Sequence, residues 1–302
     1  MSKYWLGRAK QIEKEAMRNA DKATPLLQGF YRDLYQEIKK DMLVLRNKIE
    51  SYAQAGVKLD REEVYTWNKT LEEYVDIIKK APVEIQPYLK AELEVKSLTS
   101  RKSRLDLLML QIEKHLTNCT IDSEHVITDC LTDTIQGTYK LKIADLRGVK
   151  TSFAVVDDKK VRDILSIKWS GENYSARLWD NRNKLAKKSR EIITKGLIQG
   201  KSPSSMALDL QGCVEGGYNE AIRLVRTETN FVQNHTILEC YKEEDIQEYE
   251  ILAIEDSRTS QVCKNLDGKI FRVEEAKAGI NYPPFHPNCR TTTVELASRQ
   301  KL

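Results

Sequence analysis

Between Leu27 and Tyr52, apolar residues recur at Leu27, Tyr31, Leu34, Ile38, Met42, Leu45, Ile49 and Tyr52, in alternating steps of three and four. That spacing keeps one stripe on one side of an α-helix and cannot line one face of a strand. A stripe this long commits the early chain to a long helix that must bury one side against other helices. A second stripe, Val64, Trp67, Leu71, Tyr74, Val75 and Ile78, stops before Pro82, whose ring and missing N–H would disrupt a helix running through it. Further helical patterns run from Leu93 to Leu116 and from Val126 to Tyr139. Residues 1–140 thus read as a bundle of antiparallel helices joined at short polar stretches, Gly56–Asp60 and Asn118–Asp122, with no strand signal.

Such helices explain a chain that is 40% apolar and 31% charged, since much of each helix faces water. A length of 302 residues predicts about two domains. The 49 basic and 45 acidic residues nearly balance, unlike the lopsided, apolar-poor composition of a disordered chain. No run of 18 apolar residues occurs, and Met1-Ser-Lys-Tyr-Trp-Leu-Gly-Arg8 lacks a secretory apolar stretch. The expectation is a protein kept in the cytosol, or in something assembled there, with no membrane. Its six scattered cysteines form no dense disulfide framework, so reduced thiols are expected. Charge is uneven: residues 140–201 hold 16 Lys and Arg against 7 Asp and Glu, a candidate contact for a polyanion.

That basic segment, 141–201, reads as a mainly helical connection. It contains a short apolar run, Ser152–Val156, then Trp169-Ser-Gly and Arg177-Leu-Trp179, then a helix with Leu178, Leu185 and Ile192 spaced by sevens. Lys184, Lys187, Lys188, Arg190 and Lys195 lie mostly on its remaining arc, either as a DNA-binding face or as a solvated one. The helix is expected to stop at Gly200, with Ser202 capping a new one that has Pro203 in its first turn. A longer helix is expected from about Tyr218 to Tyr241. Beyond it the period changes. Tyr249–Ile254 and Thr291–Val294 favour strands, and Leu266-Asp-Gly268-Lys-Ile-Phe271 carries the Asp-Gly signal of a tight hairpin. The fold class is α+β, with a helical bundle at 1–140 and a smaller α+β domain at 202–302. Tyr282–Arg290 has three prolines in five residues and must be a rigid loop.

In that loop His286 and Cys289 stand three apart, with Cys263 upstream. An imidazole and two thiolates are good zinc ligands, but a closed structural site needs four. A Cys-x2-Cys knuckle would need its first sulfur at position 260, where the chain has Ser260. Asp256 or water is a possible fourth ligand, and the alternative is that these side chains only pack and hydrogen-bond. A second constellation is Arg223-Leu-Val-Arg226-Thr-Glu228. Arg226 and Glu228 point apart by about 200° on a helix, so each must reach a different partner. Arg226 can pair with Asp256 or with a carbonyl of the proline-rich loop as a structural clasp. Alternatively, Arg226, Glu228 and His286 form a phosphate or nucleotide pocket. The clasp is favoured, because buried ionic networks are common without catalysis. His235, seven residues after Glu228, reads as a packed side chain. The common nucleotide-binding, metalloprotease and serine-hydrolase motifs are all absent.

Taken in order, Arg223-Leu-Val-Arg-Thr-Glu228, Glu255-Asp-Ser-Arg-Thr-Ser260, Cys263, Leu266-Asp-Gly268, Phe271 and Pro284-Phe-His-Pro-Asn-Cys-Arg290 resemble the phage head morphogenesis family, the Mu F-like minor head proteins. The resemblance spans roughly residues 169–297. It marks Arg223, Arg226, Glu228, Asp256, Arg258, Asp267, Gly268, Pro287 and Arg290 as the structural motif. It implies a minor capsid protein in the virion of a tailed phage, inside the head near the portal and in the host cytoplasm during assembly. Implied partners are the portal protein, the major capsid or scaffolding protein, and double-stranded DNA without sequence preference. Family members are associated with head assembly and with DNA packaging or exit, and some family domains are fused to toxins. Many members carry Cys-x2-Cys and end the loop in Cys-Arg-Cys, where this chain has Ser260 and Thr291. The competing expectation is an enzyme acting on nucleic acid or a nucleotide through Arg226, Glu228 and His286.

Overall fold

A computed structural model describes residues 3–45, 59, 61–98, 103–149, 154–254, 256–257 and 259–296. Of the sequence expectations, Arg258, Ile49, Tyr52, most of the Gly56–Asp60 joint and the start of the Ser152–Val156 run lie outside these residues. The elements are α1 (Lys3–Leu45), α2 (Arg61–Ile78), α3 (Gln86–Leu98), α4 (Arg104–Leu146), α5 (Asp158–Leu165), α6 (Tyr174–Ile198) and α7 (Pro203–Glu243). They are followed by β1 (Glu248–Leu252), α8 (Gln261–Leu266), β2 (Ile270–Arg272), a 3-10 turn (Val273–Glu275) and β3 (Thr292–Glu295). The α+β class holds. The chain forms two compact units, one from residues 1–25, 126–177 and 221–302, the other from 26–125 and 178–220. Each of the stretches 1–140, 141–201 and 202–302 therefore contributes to both. The physical reason is length: α1, α4 and α7 each exceed 40 residues, and each lends one part to either unit.

In the second unit, Leu27, Tyr31, Leu34, Ile38 and Met42 of α1 are buried, as the stripe requires. In α2 the buried positions are Glu63, Trp67, Thr70, Tyr74 and Ile78, while Val64 and Val75 face out. The expected joint at Asn118–Asp122 is not a joint, because α4 runs straight through it. Hydroxyls there bond back one turn, Thr117 to the carbonyl of Glu113 (2.8 Å), Thr120 to Leu116 (2.8 Å) and Ser123 to Cys119 (2.7 Å). A polar stretch that satisfies itself in this way can be buried inside a helix. Arg182, buried, donates to Tyr74 (2.7 Å) and Thr117 (3.0 Å) and faces Glu92.

Gly200, at φ 65°, ends α6 as expected, and Ser202 Oγ accepts the N–H of Ser205 at 3.2 Å to cap α7. The helix expected to start near Tyr218 begins instead at Pro203 and runs unbroken for 41 residues. Glycine at position 217 is required by closeness: a Cβ there would meet Leu185 at 3.0 Å and Tyr31 at 3.1 Å.

In the first unit, an antiparallel sheet of order β2-β1-β3 pairs Tyr249 with Phe271 and Glu295, and Ile251 with Thr293. Its apolar face and the end of α7 enclose Ile237, Leu238, Tyr241, Tyr249, Ile251, Val273 and Tyr282, joined by Ile12 of α1. Each such side chain contributes roughly 1.5–3 kcal/mol by leaving water. Asp267-Gly268 does not make a tight hairpin. It ends the short helix α8, and β1 and β2 are connected through residues 253–269. The turn still serves the sheet, since Gly268 donates to the carbonyl of Ile251 and Asp267 Oδ1 accepts the N–H of Ala253 at 2.7 Å.

Candidate functional site

Helix α8 begins because Ser260, in extended backbone, caps it by accepting the N–H of Cys263 at 3.2 Å. This puts Cys263 in the first turn, buried, facing the proline-rich loop. In that loop the N–H of Cys289 donates to the carbonyl of His286 at 3.2 Å, and Asn288 adopts φ 58°. The turn brings both side chains back toward α8. Cys263 Sγ lies 3.1 Å from His286 Nε2 and 3.8 Å from Cys289 Sγ, and the three ligand-type atoms are all within 4.8 Å of one another. His286 Nδ1 sits 2.8 Å from the carbonyl of Pro287. A carbonyl only accepts, so Nδ1 carries a proton. The Cys289 thiol donates to Cys263, which draws the Cys263 thiol well below its ordinary range, helped by Ser260, Thr291 and His286. The same bond and burial push Cys289 up. The three residue types expected from sequence to hold a metal are thus brought together.

The loop is fastened to α7 by polar bonds. Asn230 and Asn234 both donate to the carbonyl of Thr291 (3.1 Å each), Tyr282 donates to the carbonyl of Asn234 (2.8 Å), and the N–H of Asn288 donates to Thr227 Oγ1 (3.0 Å). Arg290 pairs with Asp256.

The expected partners of Arg226 are corrected. Among the described residues its partner is Asp21 of α1 at 2.6 Å, in a largely exposed pair, in place of Asp256 or the loop. Glu228, 2% exposed, accepts from Arg177 Nη1 at 2.8 Å and Trp169 Nε1 at 3.1 Å. Arg177 also lies over the Trp169 ring at 5.3 Å, and that ring stacks on Phe231 at 5.2 Å. Burial raises the Glu228 carboxyl above its ordinary value of 4.5, with Arg177 and Trp169 opposing. Among the described residues Arg226, Glu228 and His286 share no partner. Arg223 supplies the carbonyl that takes the hydroxyl of Thr227. His235 packs half-buried on Phe231 at 5.6 Å, and burial lowers its pKa.

Lys184, Lys187, Lys188, Arg190 and Lys195 are all exposed on α6. Lys184 pairs with Asp180 at 2.6 Å and Arg190 with Asp106 at 3.6 Å. What the residue-by-residue reading missed is the role of Trp169 and Arg177 as the seat of Glu228, and the buried polar stripe Thr227, Asn230 and Asn234. The stripe's spacing of three and four was a readable signal.

Residues 187–294 match the family described as phage Mu protein F like protein, the family the ordered motifs resemble. The NAD(+)--arginine ADP-ribosyltransferase EFV of Enterococcus faecalis (strain ATCC 700802 / V583) is 27% identical over 177 residues, covering 53% of this chain and 36% of that protein. The chain thus spans about a third of the length of this curated relative. No solved structure matches. No helix among the described residues is long and apolar enough to cross a membrane.

Proposed function

We propose that the chain is a minor head protein of a tailed phage that docks on portal or procapsid subunits and rests the lysine face of α6 against packaged double-stranded DNA. One observation carries this reading. The Mu F-like match at 187–294 includes the α7–loop segment, in which Thr227, Asn230 and Asn234 of the helix bond to the loop, a scaffold suited to attachment. The enzyme reading needs Arg226, Glu228 and His286 to converge, and their separate partners do not support it. The ADP-ribosyltransferase name belongs to a relative of which the chain covers 36%.

Leu27, Tyr31, Leu34, Ile38 and Met42 of the first stripe and Trp67, Tyr74 and Ile78 of the second are taken up in the chain's own core and are not offered to a partner. Docking falls to exposed side chains of the helical unit such as Val44, Tyr65, Val83 and Tyr88. Co-expression with the portal protein encoded by the same phage should give a complex that survives purification and is weakened by Tyr65→Asp or Val83→Asp. A portal that elutes alone under all conditions tried removes the docking role.

For DNA, two of the five exposed basic side chains on α6 already face carboxylates. With three to five phosphate contacts, the logarithm of affinity should fall with log salt at a slope of roughly −3 to −4.5. Absence of duplex binding at low salt ends that part of the proposal.

A further inference from the structure

We propose that Cys263, His286 and Cys289 form a zinc site in which the protein supplies two sulfurs and one nitrogen and leaves the fourth position to solvent. The spacing fits the ion. With Zn–S bonds of about 2.3 Å and Zn–N of about 2.0 Å, tetrahedral geometry places two sulfurs about 3.8 Å apart and sulfur from nitrogen about 3.5 Å apart. The structure has 3.8 Å for Cys263–Cys289 and 3.1 Å for Cys263–His286, with the Cys289–His286 separation within 4.8 Å, so a rotation of the His286 ring toward Cys289 seats the metal.

The surroundings of each ligand are those a metal needs. The Nδ1 proton of His286 is held by the carbonyl of Pro287, which fixes the tautomer that offers Nε2 and is the usual outer support of a metal-bound imidazole. Two thiolates cancel the charge of Zn2+, and the adjacent charged pair, Arg290 with Asp256, is neutral by itself. Soft sulfur with imidazole in a tetrahedral set selects zinc over magnesium or calcium. His286 is the only one of the three that is partly exposed, so the open position lies on the solvent side. The metal would tie the first turn of α8 to the loop that leads into β3, a cross-link between segments 23 and 26 residues apart.

The full chain is purified under reducing conditions, stripped with a chelator and titrated with Co2+. Uptake of one ion per chain, with a thiolate-to-cobalt charge-transfer band and the intense visible bands of a tetrahedral site, is expected, and Zn2+ should displace it. Cys263→Ser, Cys289→Ser and His286→Gln should each weaken uptake at least a hundredfold. Ser260→Cys, which supplies a fourth sulfur one helical turn before Cys263, should tighten it at least tenfold and abolish the response of the cobalt spectrum to added azide. In case a serine variant fails to fold, alkylation of the parent provides an independent reading: Zn2+ should protect Cys263 and Cys289, and a chelator should expose them. Absence of tetrahedral cobalt bands in the reduced parent, bands that persist in all three ligand variants, or alkylation indifferent to Zn2+ each overturns the site. Loss of two mass units on purification without reductant, with no metal uptake after reduction, identifies a thiol pair that forms a disulfide instead.

Discussion

Glu228 is a carboxylate at 2% exposure whose charge is met by Arg177 and by the indole N–H of Trp169. Replacing Arg177 with Met keeps the stem and removes the charge. Breaking a fully buried pair costs about 3–5 kcal/mol. Arg177 is 24% exposed, so solvent already screens part of the attraction and about 2–3 kcal/mol is the better figure. Protonation sets a ceiling. Neutralising a carboxyl of ordinary pKa 4.5 at pH 7 costs about 1.4 kcal/mol per unit, or about 3.4 kcal/mol, and the variant cannot lose more through this charge. The pH dependence follows from sign. The native pKa is raised above the unfolded one, so the folded state binds more protons in that window and its stability falls as pH rises from 4.5 toward the native value. Without Arg177 the native value climbs further. The Arg177→Met deficit should therefore be under about 1 kcal/mol near pH 4.5 and reach 2–3 kcal/mol by pH 7. In the Glu228→Gln background, where the amide oxygen still accepts from Trp169, the same substitution should cost only about 1 kcal/mol, from the stacking on the indole and the exposed bonds of Arg177 to Ser170 and to the carbonyl of Glu172. Urea unfolding followed by tryptophan fluorescence, with hydrogen exchange of residues 224–234 to localise the effect, reads these values. A deficit equal at pH 4.5 and 7, or equally large in the Glu228→Gln background, refutes the reasoning.

Three further outcomes can be checked on the same unit. Tyr282→Phe removes the donor to the carbonyl of Asn234, 2.8 Å away and buried. It should cost about 1 kcal/mol in urea unfolding, since one buried bond is lost while the carbonyl keeps its place in the helix; a cost below about 0.3 kcal/mol by the same measure would dismiss the bond as a fastener of the loop. Gln233 is fully buried, and neither atom of its amide has a hydrogen-bond partner among the described residues. Gln233→Met should raise stability by about 1 kcal/mol or more, and a lower melting temperature would show that the amide is satisfied. Burial holds the His235 pKa below 6.5, with Glu239 opposing and Lys242 and Lys160 reinforcing. The neutral form fits the native state, so stability conferred here is full above pH 6.5 and declines as pH falls toward the native pKa, by at most about 1.4 kcal/mol per unit. His235→Gln should flatten that limb, and an unchanged acid limb contradicts it.

Much of the site was legible because its chemistry is local. His-x2-Cys and the proline run announced a stiff loop with two ligand types, and Ser202-Pro203 after Gly200 announced a helix boundary. The joint at Asn118–Asp122 misled because its polar residues look like a turn, and only burial shows their hydroxyls turned onto the helix's own carbonyls. The break before Tyr218 misled for a related reason. Glycines at 212, 216 and 217 weaken a helix by propensity, but contact with Leu185 and Tyr31 makes the one at 217 necessary.

The order of residues alone determined that the early chain is helical, where the period changes to strands, and which side chains are fit to bind metal, because these depend on spacing and on near neighbours. It also required Arg226 and Glu228 to diverge. Which partner each would meet was decided by tertiary structure: Arg177, 51 residues away, neutralises Glu228, Asp21, 205 residues away, takes Arg226, and Cys263 reaches Cys289 across 26 residues. Such pairings are properties of a closed core. Backbone preference acts over a turn or two, whereas a buried charge or thiol takes whichever complementary group the packing of distant segments sets beside it.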